Sequence, residues 1–106
     1  MENNKIYGLL GLARRAGKIS FGTESSIETI EKKKAELVIV AKDCSDRTKK
    51  NFTELCKKLN VELRIAGTIE FLSQSIGQVN KAVLVVKDKN FAKEILKRID
   101  GGEIIG

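Results

Sequence analysis

Two continuous apolar runs constrain the fold more than any other feature of the sequence. They are Leu37–Ala41 and Ala82–Val86, and neither alternates with polar residues. A strand of this composition is covered on both faces, which is typical of the middle of a mostly parallel sheet with helices on either side. We therefore expect the two runs to be central strands and neighbours in one sheet.

Shorter strands and amphipathic helices alternate along the rest of the chain. Lys18–Phe21 and Val61–Ile65 are predicted strands, and the second is placed near an edge because Glu62 and Arg64 alternate with apolar residues. Apolar spacing and end signals predict five helices: residues 4–16, residues 24–34, one capped by Ser45 or Asp46, a short one ending at Gly77, and one capped by Asn90. This order predicts an α/β fold, a three-layer α/β/α sandwich with a four-stranded mixed sheet.

The chain length and hydropathy favour one globular unit. The 106 residues suffice for a single core, so we predict one domain over residues 1–106, with a frayed tail over 101–106. No apolar run approaches the roughly 20 residues that span a membrane. The early leucine pair is soon followed by Arg14 and Arg15, which excludes a signal peptide of the usual pattern. We expect a soluble, cytoplasmic protein without a membrane partner.

The charge balance points to a polyanionic partner. Twenty Lys and Arg against 14 Asp and Glu give a formal net charge of +6. A net positive charge of this size can also serve only to keep the protein soluble, without any polyanionic partner. Aromatic residues make up only 5% of the chain, too few for a platform on which single-stranded bases stack. Folded RNA suits the composition better, with phosphates meeting lysines and base edges meeting short polar side chains.

The residue types needed for common catalytic and metal sites are missing. There is no histidine, which removes Ser-His-Asp and Cys-His catalysis and the usual zinc sites. Cys44 and Cys56 are too far apart for a metal cage and are expected to be reduced. Asp43 follows a strand but lacks an acidic companion, so we interpret it as a loop or cap acid. We predict no enzymatic activity, no cofactor, no metal and no small-molecule substrate.

A glycine turn precedes the second predicted helix. Gly22 can adopt a positive φ, Thr23 or Ser25 can cap the helix, and Glu28 would complete a capping box with Ser25. A helix start framed by glycine leaves amide donors in front of it, and phosphate is a common ligand of such amides. The alternative is a well-capped turn that binds nothing.

Four segments together resemble the kink-turn RNA-binding ribosomal-protein superfamily (the L-seven-Ae type), and within it the small bacterial YlxQ-type members. The segments are Leu9–Lys18, Gly22–Ser25, Leu37–Asp43 and Leu72–Gly77, and the likeness extends from Ile6 to Ile99. The resemblance implies the three-layer fold. It also implies binding to RNA that tandem sheared G·A pairs bend sharply, with contacts from the first turn of the second helix and from the loop before the last strand.

The sequence departs from the family pattern at the implied contacts. The family's G-x-N-E stretch falls on Gly22–Ser25, where Glu24 replaces asparagine and Ser25 replaces glutamate. Glu28 stands where the family has a lysine. An ionised Glu24 only accepts hydrogen bonds, whereas asparagine both donates and accepts them. The loop Gln78–Lys81 is shorter and more polar than its family counterpart.

These observations predict a non-catalytic protein that binds structured RNA, either ribosomal or ribosome-associated, with ribosomal proteins as further candidate partners. The residues expected to neutralise phosphate beside the Gly22 turn are Arg14, Arg15, Lys18 and Lys42. The residues expected to approach bases are Gly22, Thr23, Glu24, Ser25, Val79 and Asn80. The alternative is a protein-interaction module that kept the fold and lost the RNA site, which Glu24 and Glu28 favour.

Overall fold

The computed structural model describes residues 5–102, which form five helices and four strands in the predicted alternation. The elements are α1 (Lys5–Arg15), β1 (Ile19–Phe21), α2 (Thr23–Glu31), β2 (Leu37–Val40), α3 (Asp46–Leu59), β3 (Leu63–Ile65), α4 (Ile69–Ser75), β4 (Val83–Val86) and α5 (Lys89–Asp100). Most of the predicted tail, residues 103–106, lies outside the described range, and the single-domain assignment stays a prediction. Within residues 5–102, no helix is both long and apolar enough to cross a membrane.

The two apolar runs form the centre of the sheet, as predicted. The strand order is β1-β4-β2-β3, so β4 and β2 are hydrogen-bonded neighbours and β3 lies at an edge. The sheet is mixed, as predicted, although continuous apolar runs of this kind are typical of mostly parallel sheets. Strand β4 runs antiparallel to both β1 and β2, and only β2 and β3 are parallel. Continuous apolar character reports burial on both faces, and helices can bury both faces of an antiparallel pair equally well.

Successive side chains of the central strands enter two separate cores. One core lies under α1, α4 and α5 and contains the strand residues Leu37, Ile39, Leu84 and Val86. The other lies under α2 and α3 and contains Val38, Val40, Val83 and Val85. All eight side chains are buried, because residues two apart in a strand share a face. The predicted α/β class and its layers are confirmed.

The predicted capping box at the start of α2 is wrong. Gly22 is the N-cap residue, and no side chain forms a cap hydrogen bond there. The helix begins at Thr23, so Ser25 already lies inside its first turn. Glu28 forms an ion pair with Lys32, with 2.9 Å between the carboxylate oxygen and Nζ, and it does not reach back to the helix start.

Of the two caps predicted for the later helices, one is confirmed. The Ser45 hydroxyl accepts a hydrogen bond from the Thr48 N–H at 3.1 Å, as predicted for α3. Thr68 caps α4. Asn90 was predicted to cap α5, but the Asp88 carboxylate accepts the Phe91 N–H at 2.9 Å instead. Asp88 and Asn90 are equally competent caps by residue type, and helix α5 begins at Lys89, one residue after Asp88.

Candidate nucleic-acid interface

The strand register brings three predicted contact segments to one end of the sheet. The Gly22 N–H donates to the Val83 carbonyl at 3.0 Å, and the Ala41 N–H donates to the Ala82 carbonyl at 2.8 Å. Because β4 is antiparallel to β1 and β2, its start lies between their ends. We call this region the site end, and it comprises the segments Gly22–Ser25, Lys42–Asp43 and Gln78–Lys81.

The backbone of Gly22 has a conformation that side chains do not tolerate. Its φ of 87° and ψ of 164° lie in a region that is essentially restricted to glycine. A Cβ at this position would meet nothing within 4 Å, so the requirement is conformational and does not arise from crowding. The turn leads directly into α2, where Thr23, Glu24 and Ser25 are exposed. The first turn therefore presents three polar side chains and a helix start that no side chain caps.

The loop before β4 is held in place by one buried serine. The Ser73 hydroxyl accepts a hydrogen bond from the Lys81 N–H at 2.7 Å and donates one to the Lys81 carbonyl at 3.2 Å. Asn80 has a left-handed φ of 56°, which asparagine tolerates better than most residues. With Lys81 fixed from behind, the loop projects Val79, which is 81% exposed, and Asn80 into solvent.

The loop after β2 adds a cation and a helix-capping acid. The Lys42 N–H donates to the Gly67 carbonyl at 2.8 Å, which ties this loop to the end of β3, and the Lys42 side chain is exposed. Asp43 Oδ1 accepts a hydrogen bond from the Ile69 N–H at 2.9 Å at the start of α4. This contact agrees with the prediction of a cap acid. A shallow cleft of about 400 Å³ lies between Asp43, α4 and Val79.

Arg14 and Lys81 both lie over the ring of Phe21, the residue that precedes Gly22. The guanidinium carbon of Arg14 lies 5.2 Å from the centre of the Phe21 ring, and Lys81 Nζ lies 5.7 Å from it. Both distances are in the range of cation–π attraction. Arg14 Nε is buried and has no hydrogen-bond partner within residues 5–102.

Sequence reasoning named Arg14 but missed the other two members of this cluster. Lys81, which adjoins Asn80, and Phe21, which adjoins Gly22, are not among the predicted contact residues. The signal for both was positional, because each residue directly adjoins a predicted contact segment.

Lys18 and Arg15 are not part of the site end. The Lys18 carbonyl accepts a hydrogen bond from the Lys87 N–H at 2.8 Å, at the opposite end of β1. Four residues of extended chain separate Lys18 from Gly22, which is about 13 Å of strand rise. Arg15 is exposed at the C-terminal end of α1, close in sequence to Lys18. Lys18 therefore does not converge with the other cations beside Gly22, and RNA contact by Lys18 and Arg15 stays a prediction.

The charge at the site end is mixed. Exposed Glu24, Glu70 and Asp43 stand beside the cations Lys42 and Lys81. Glu28 lies further along α2, where its hydrogen bond and charge interaction with Lys32 lower the pKa of its carboxyl group. The charge of Glu28 is therefore balanced locally. Within residues 5–102, no group of three or more cysteine, aspartate and glutamate side chains is arranged to hold a metal ion.

Comparison with known sequences identifies the family. The sequence model of the ribosomal protein L7Ae/L30e/S12e/Gadd45 family matches residues 4–97. The RNA-binding protein YlxQ of Bacillus subtilis (strain 168) is 32% identical over 100 residues, which cover 94% of this chain and 100% of that protein. The RNA-binding protein YlxQ of Enterococcus faecium is 36% identical over 100 residues, with coverage of 94% and 96%.

Two solved structures have the same fold. A Bacillus halodurans protein described as having unknown function superimposes with a TM-score of 0.89 at 30% identity, over 92% of this chain and 99% of that chain. The Giardia lamblia 15.5kD RNA binding protein superimposes with a TM-score of 0.76 at 20% identity, over 95% and 92%, and shows the fold alone. The resemblance inferred from the sequence motifs is confirmed. The chain belongs to the ribosomal protein L7Ae/L30e/S12e/Gadd45 family.

Proposed function

We propose that this protein is a non-catalytic, cytoplasmic protein that binds structured RNA through the site end of its sheet. The observation that carries the proposal is the strand register, which sets Gly22–Ser25, Lys42 and Val79–Asn80 side by side. The family resemblance implies RNA contacts from the first and last of these segments. Two relatives that share about a third of their residues with this chain bear the name of RNA-binding proteins, which supports the same conclusion.

The residues of the site end, together with Arg14 beside it, divide into two chemical groups. Arg14, Lys42 and Lys81 supply positive charge for phosphate oxygens, which position an RNA without reading its sequence. Exposed Thr23, Glu24, Ser25 and Asn80 supply hydrogen-bonding groups for base edges. Val79, exposed over 81% of its surface, supplies an apolar contact for an unstacked base.

A bent RNA suits this arrangement better than a straight duplex. The major groove of A-form RNA is deep and narrow, so short side chains such as Thr23 and Ser25 cannot reach its base edges. A kink opened by non-Watson–Crick pairs exposes those edges next to a sharply folded backbone. We therefore assign a kink-turn-like or ribosomal RNA as the ligand, and ribosomal proteins as neighbours in a ribosome-associated setting.

Fluorescence anisotropy with two labelled RNAs of equal length tests the proposal. A kink-turn RNA should bind at least about 10-fold more tightly than a straight duplex, a difference of about 1.4 kcal/mol. Asn80→Gly removes a contact side chain while suiting the left-handed backbone, so it should reduce this preference. If both RNAs bind with the same weak and steeply salt-dependent affinity, counterion release alone explains the binding, and the proposal is contradicted.

Asn60→Gly is the matched control for that variant. Asn60 has a φ of 60° at the C-terminal cap of α3, so the same substitution is made in the same backbone conformation. Asn60 lies at the other end of the sheet, beside the start of β3. The control should keep the full preference for kinked RNA.

The acidic residues of the site end favour a second candidate function, a protein-interaction module. Glu24 replaces the amide that the family resemblance implies, and Glu70 and Asp43 add negative charge nearby. Such a module would bind basic ribosomal proteins after nuclease treatment and would lose that binding in Glu24→Gln. This candidate would be excluded if nuclease treatment abolished the capture of ribosomal proteins and Glu24→Gln left that capture intact or strengthened it.

A further inference from the structure

A set of lysines without ion-pair partners lies at the end of the sheet opposite the site end. We call it the lysine end, and it comprises Lys18, Lys33, Lys34, Lys87 and Lys89. None of these five residues forms an ion pair within residues 5–102, where the ion pairs involve Lys32 and Arg64. All are exposed except Lys87, which is half-buried.

The sheet holds these lysines next to one another. The Lys87 N–H donates to the Lys18 carbonyl at 2.8 Å, which joins the end of β4 to the start of β1. On the other side of β4, the Glu36 N–H donates to the Val86 carbonyl at 2.8 Å. Glu36 follows Lys34 by two residues, so this hydrogen bond brings the Lys34 segment to the same end of the sheet. Neighbouring strands are about 4.8 Å apart, so the backbone of these three strand ends spans roughly 10 Å. A DNA duplex carries one charge per about 1.7 Å of axis, and an RNA duplex of similar charge density would present several phosphates to a surface of this width.

Few acids oppose this charge. Asp88 is occupied as the cap of α5, where its carboxylate accepts the Phe91 N–H at 2.9 Å. Glu36 is half-buried in the loop before β2. Glu62, exposed just before β3, forms an ion pair with Arg64, which leaves Glu31 as the exposed acid without an ion pair in the neighbouring segments. The lysine end is therefore more uniformly basic than the site end, where Glu24, Asp43 and Glu70 offset the cations.

Lys33 occupies a backbone position that a lysine does not favour. Its φ of 61° is left-handed, in the turn that ends α2, where glycine or asparagine is usual. Its N–H donates to the Ile30 carbonyl at 3.0 Å. A side chain at this position projects from the turn at the cost of backbone strain. A glycine there would fold with less strain but would remove one cation from the lysine end.

We propose that the lysine end is a second RNA-binding surface, which holds the phosphate backbone of a duplex segment separate from the element bound at the site end. This rests on the proposed function in one respect, namely that the partner is RNA. Five residues of extended chain, from Ala82 to Lys87, separate the two ends, or about 17 Å. An RNA that occupies both must therefore pass around the edge or face of the sheet.

The test compares two charge-matched triple variants on a straight RNA duplex. The lysine-end variant combines Lys18→Gln, Lys34→Gln and Lys87→Gln. The control combines Lys5→Gln, Lys50→Gln and Lys97→Gln, which are exposed positions on α1, α3 and α5. Each phosphate contact contributes about 0.9 to the slope of log affinity against log salt, so the lysine-end variant should lower that slope by roughly two to three. Slopes that fall equally in both variants would overturn the proposal.

Two further measurements separate this proposal from the one on the site end. The lysine-end variant should leave unchanged the affinity for a minimal kink-turn RNA with short stems, and Asn80→Gly should leave unchanged the affinity for the straight duplex. If kinked and straight RNAs bind with equal affinity while the lysine-end variant still lowers the salt slope of duplex binding, only the site-end proposal fails. A duplex slope that the lysine-end variant does not change overturns the lysine-end proposal alone.

Lys33→Gly separates binding from folding. It relieves the left-handed backbone, so the melting temperature should stay the same or rise. It removes one cation, so the salt slope for duplex binding should fall by about one. A variant that melts at the same temperature or higher and binds the duplex with an unchanged slope would exclude Lys33 from the surface.

Discussion

Arg14 and Phe21 form a contact between α1 and β1 that places a guanidinium one residue away from the Gly22 turn. The distance from Arg14 Cζ to the ring centre is 5.2 Å. We expect Arg14→Gln to weaken binding of kink-turn RNA by about 10-fold, and Phe21→Leu to weaken it less, because losing the ring removes a cation–π attraction of about 0.5–1 kcal/mol. The loss in the double variant should be smaller than the sum of the two single losses, because Arg14 and Phe21 act together. Additive losses in anisotropy titrations would show that Phe21 does not act through Arg14.

Two glycines should respond to alanine in opposite directions. Gly8 lies inside α1, where a Cβ would meet nothing within 4 Å, so Gly8→Ala should raise the free energy of unfolding by about 0.5–1 kcal/mol. Gly22→Ala should lower it by about 1–3 kcal/mol, because a φ of 87° with a ψ of 164° strains any side chain. Urea denaturation measures both. Equal changes in the two variants would contradict the backbone assignment at Gly22.

Glu24 is expected to limit RNA affinity. Its carboxylate is exposed in the first turn of α2 and would lie near phosphate in a complex. Glu24→Asn restores a donor and an acceptor, so we expect about 10-fold tighter binding of kink-turn RNA. Glu54→Gln, which removes an exposed charge from α3, is the control and should change the affinity little. A similar gain in both variants would mean that net charge alone sets the affinity.

The link between Arg64 and Asp100 should make stability depend on acid pH. Arg64 Nε and Nη2 donate to Asp100 at 2.8 and 3.0 Å, which fastens the end of α5 to β3. This hydrogen bonding lowers the pKa of Asp100 from its ordinary value of 3.8. Because the folded pKa is the lower one, the stabilisation is complete above the unfolded pKa and is lost as the pH falls through the folded pKa.

Asp100→Asn should therefore lower the melting temperature near neutral pH and have no such effect at a pH below the folded pKa of Asp100. Thermal denaturation across this range measures the difference from the parent protein. Glu94→Gln, an exposed charge change on the same helix, should not show this pH dependence. A constant difference between Asp100→Asn and the parent protein at all pH values would exclude the ion pair as its cause.

The two thiols should differ in reactivity. Cys56 is 2% exposed, and burial raises the pKa of its thiol to about 11. Burial also raises the pKa of Cys44, which is only half-buried. Since the thiolate is the reactive form, a thiol reagent near neutral pH should modify Cys44 slowly and Cys56 only after unfolding. Cys44→Ser should abolish modification of the native protein. Rapid modification of Cys56 in that variant would contradict its burial.

Periodicity and composition predicted the fold well because they report burial directly. The runs Leu37–Ala41 and Ala82–Val86 could be placed in the centre of the sheet, and next to each other, without any knowledge of strand direction. The antiparallel pairing of β4 was not predictable in the same way, because it depends on where the connecting helices return the chain. The cap of α5 was misplaced for a local reason, since Asp88 and Asn90 offer similar side-chain chemistry two residues apart.

The site could be predicted in part, through motifs that lie next to strand ends. Gly22–Ser25, Lys42 and Val79–Asn80 meet because the strands that carry them pair in register. Lys18 was misplaced because it is close to Gly22 in sequence, whereas the extended strand β1 carries it to the opposite end of the sheet. Proximity along an extended chain does not imply a shared surface.

The most direct test of the central claim is an NMR titration of isotope-labelled protein with kink-turn RNA under salt conditions that suppress non-specific binding. We expect the largest amide shift changes at Gly22–Ser25, Lys42–Asp43 and Gln78–Lys81, with smaller changes elsewhere. Changes spread evenly over the exposed lysines, or absent from these three segments at saturating RNA, would contradict the claim that the site end recognises structured RNA.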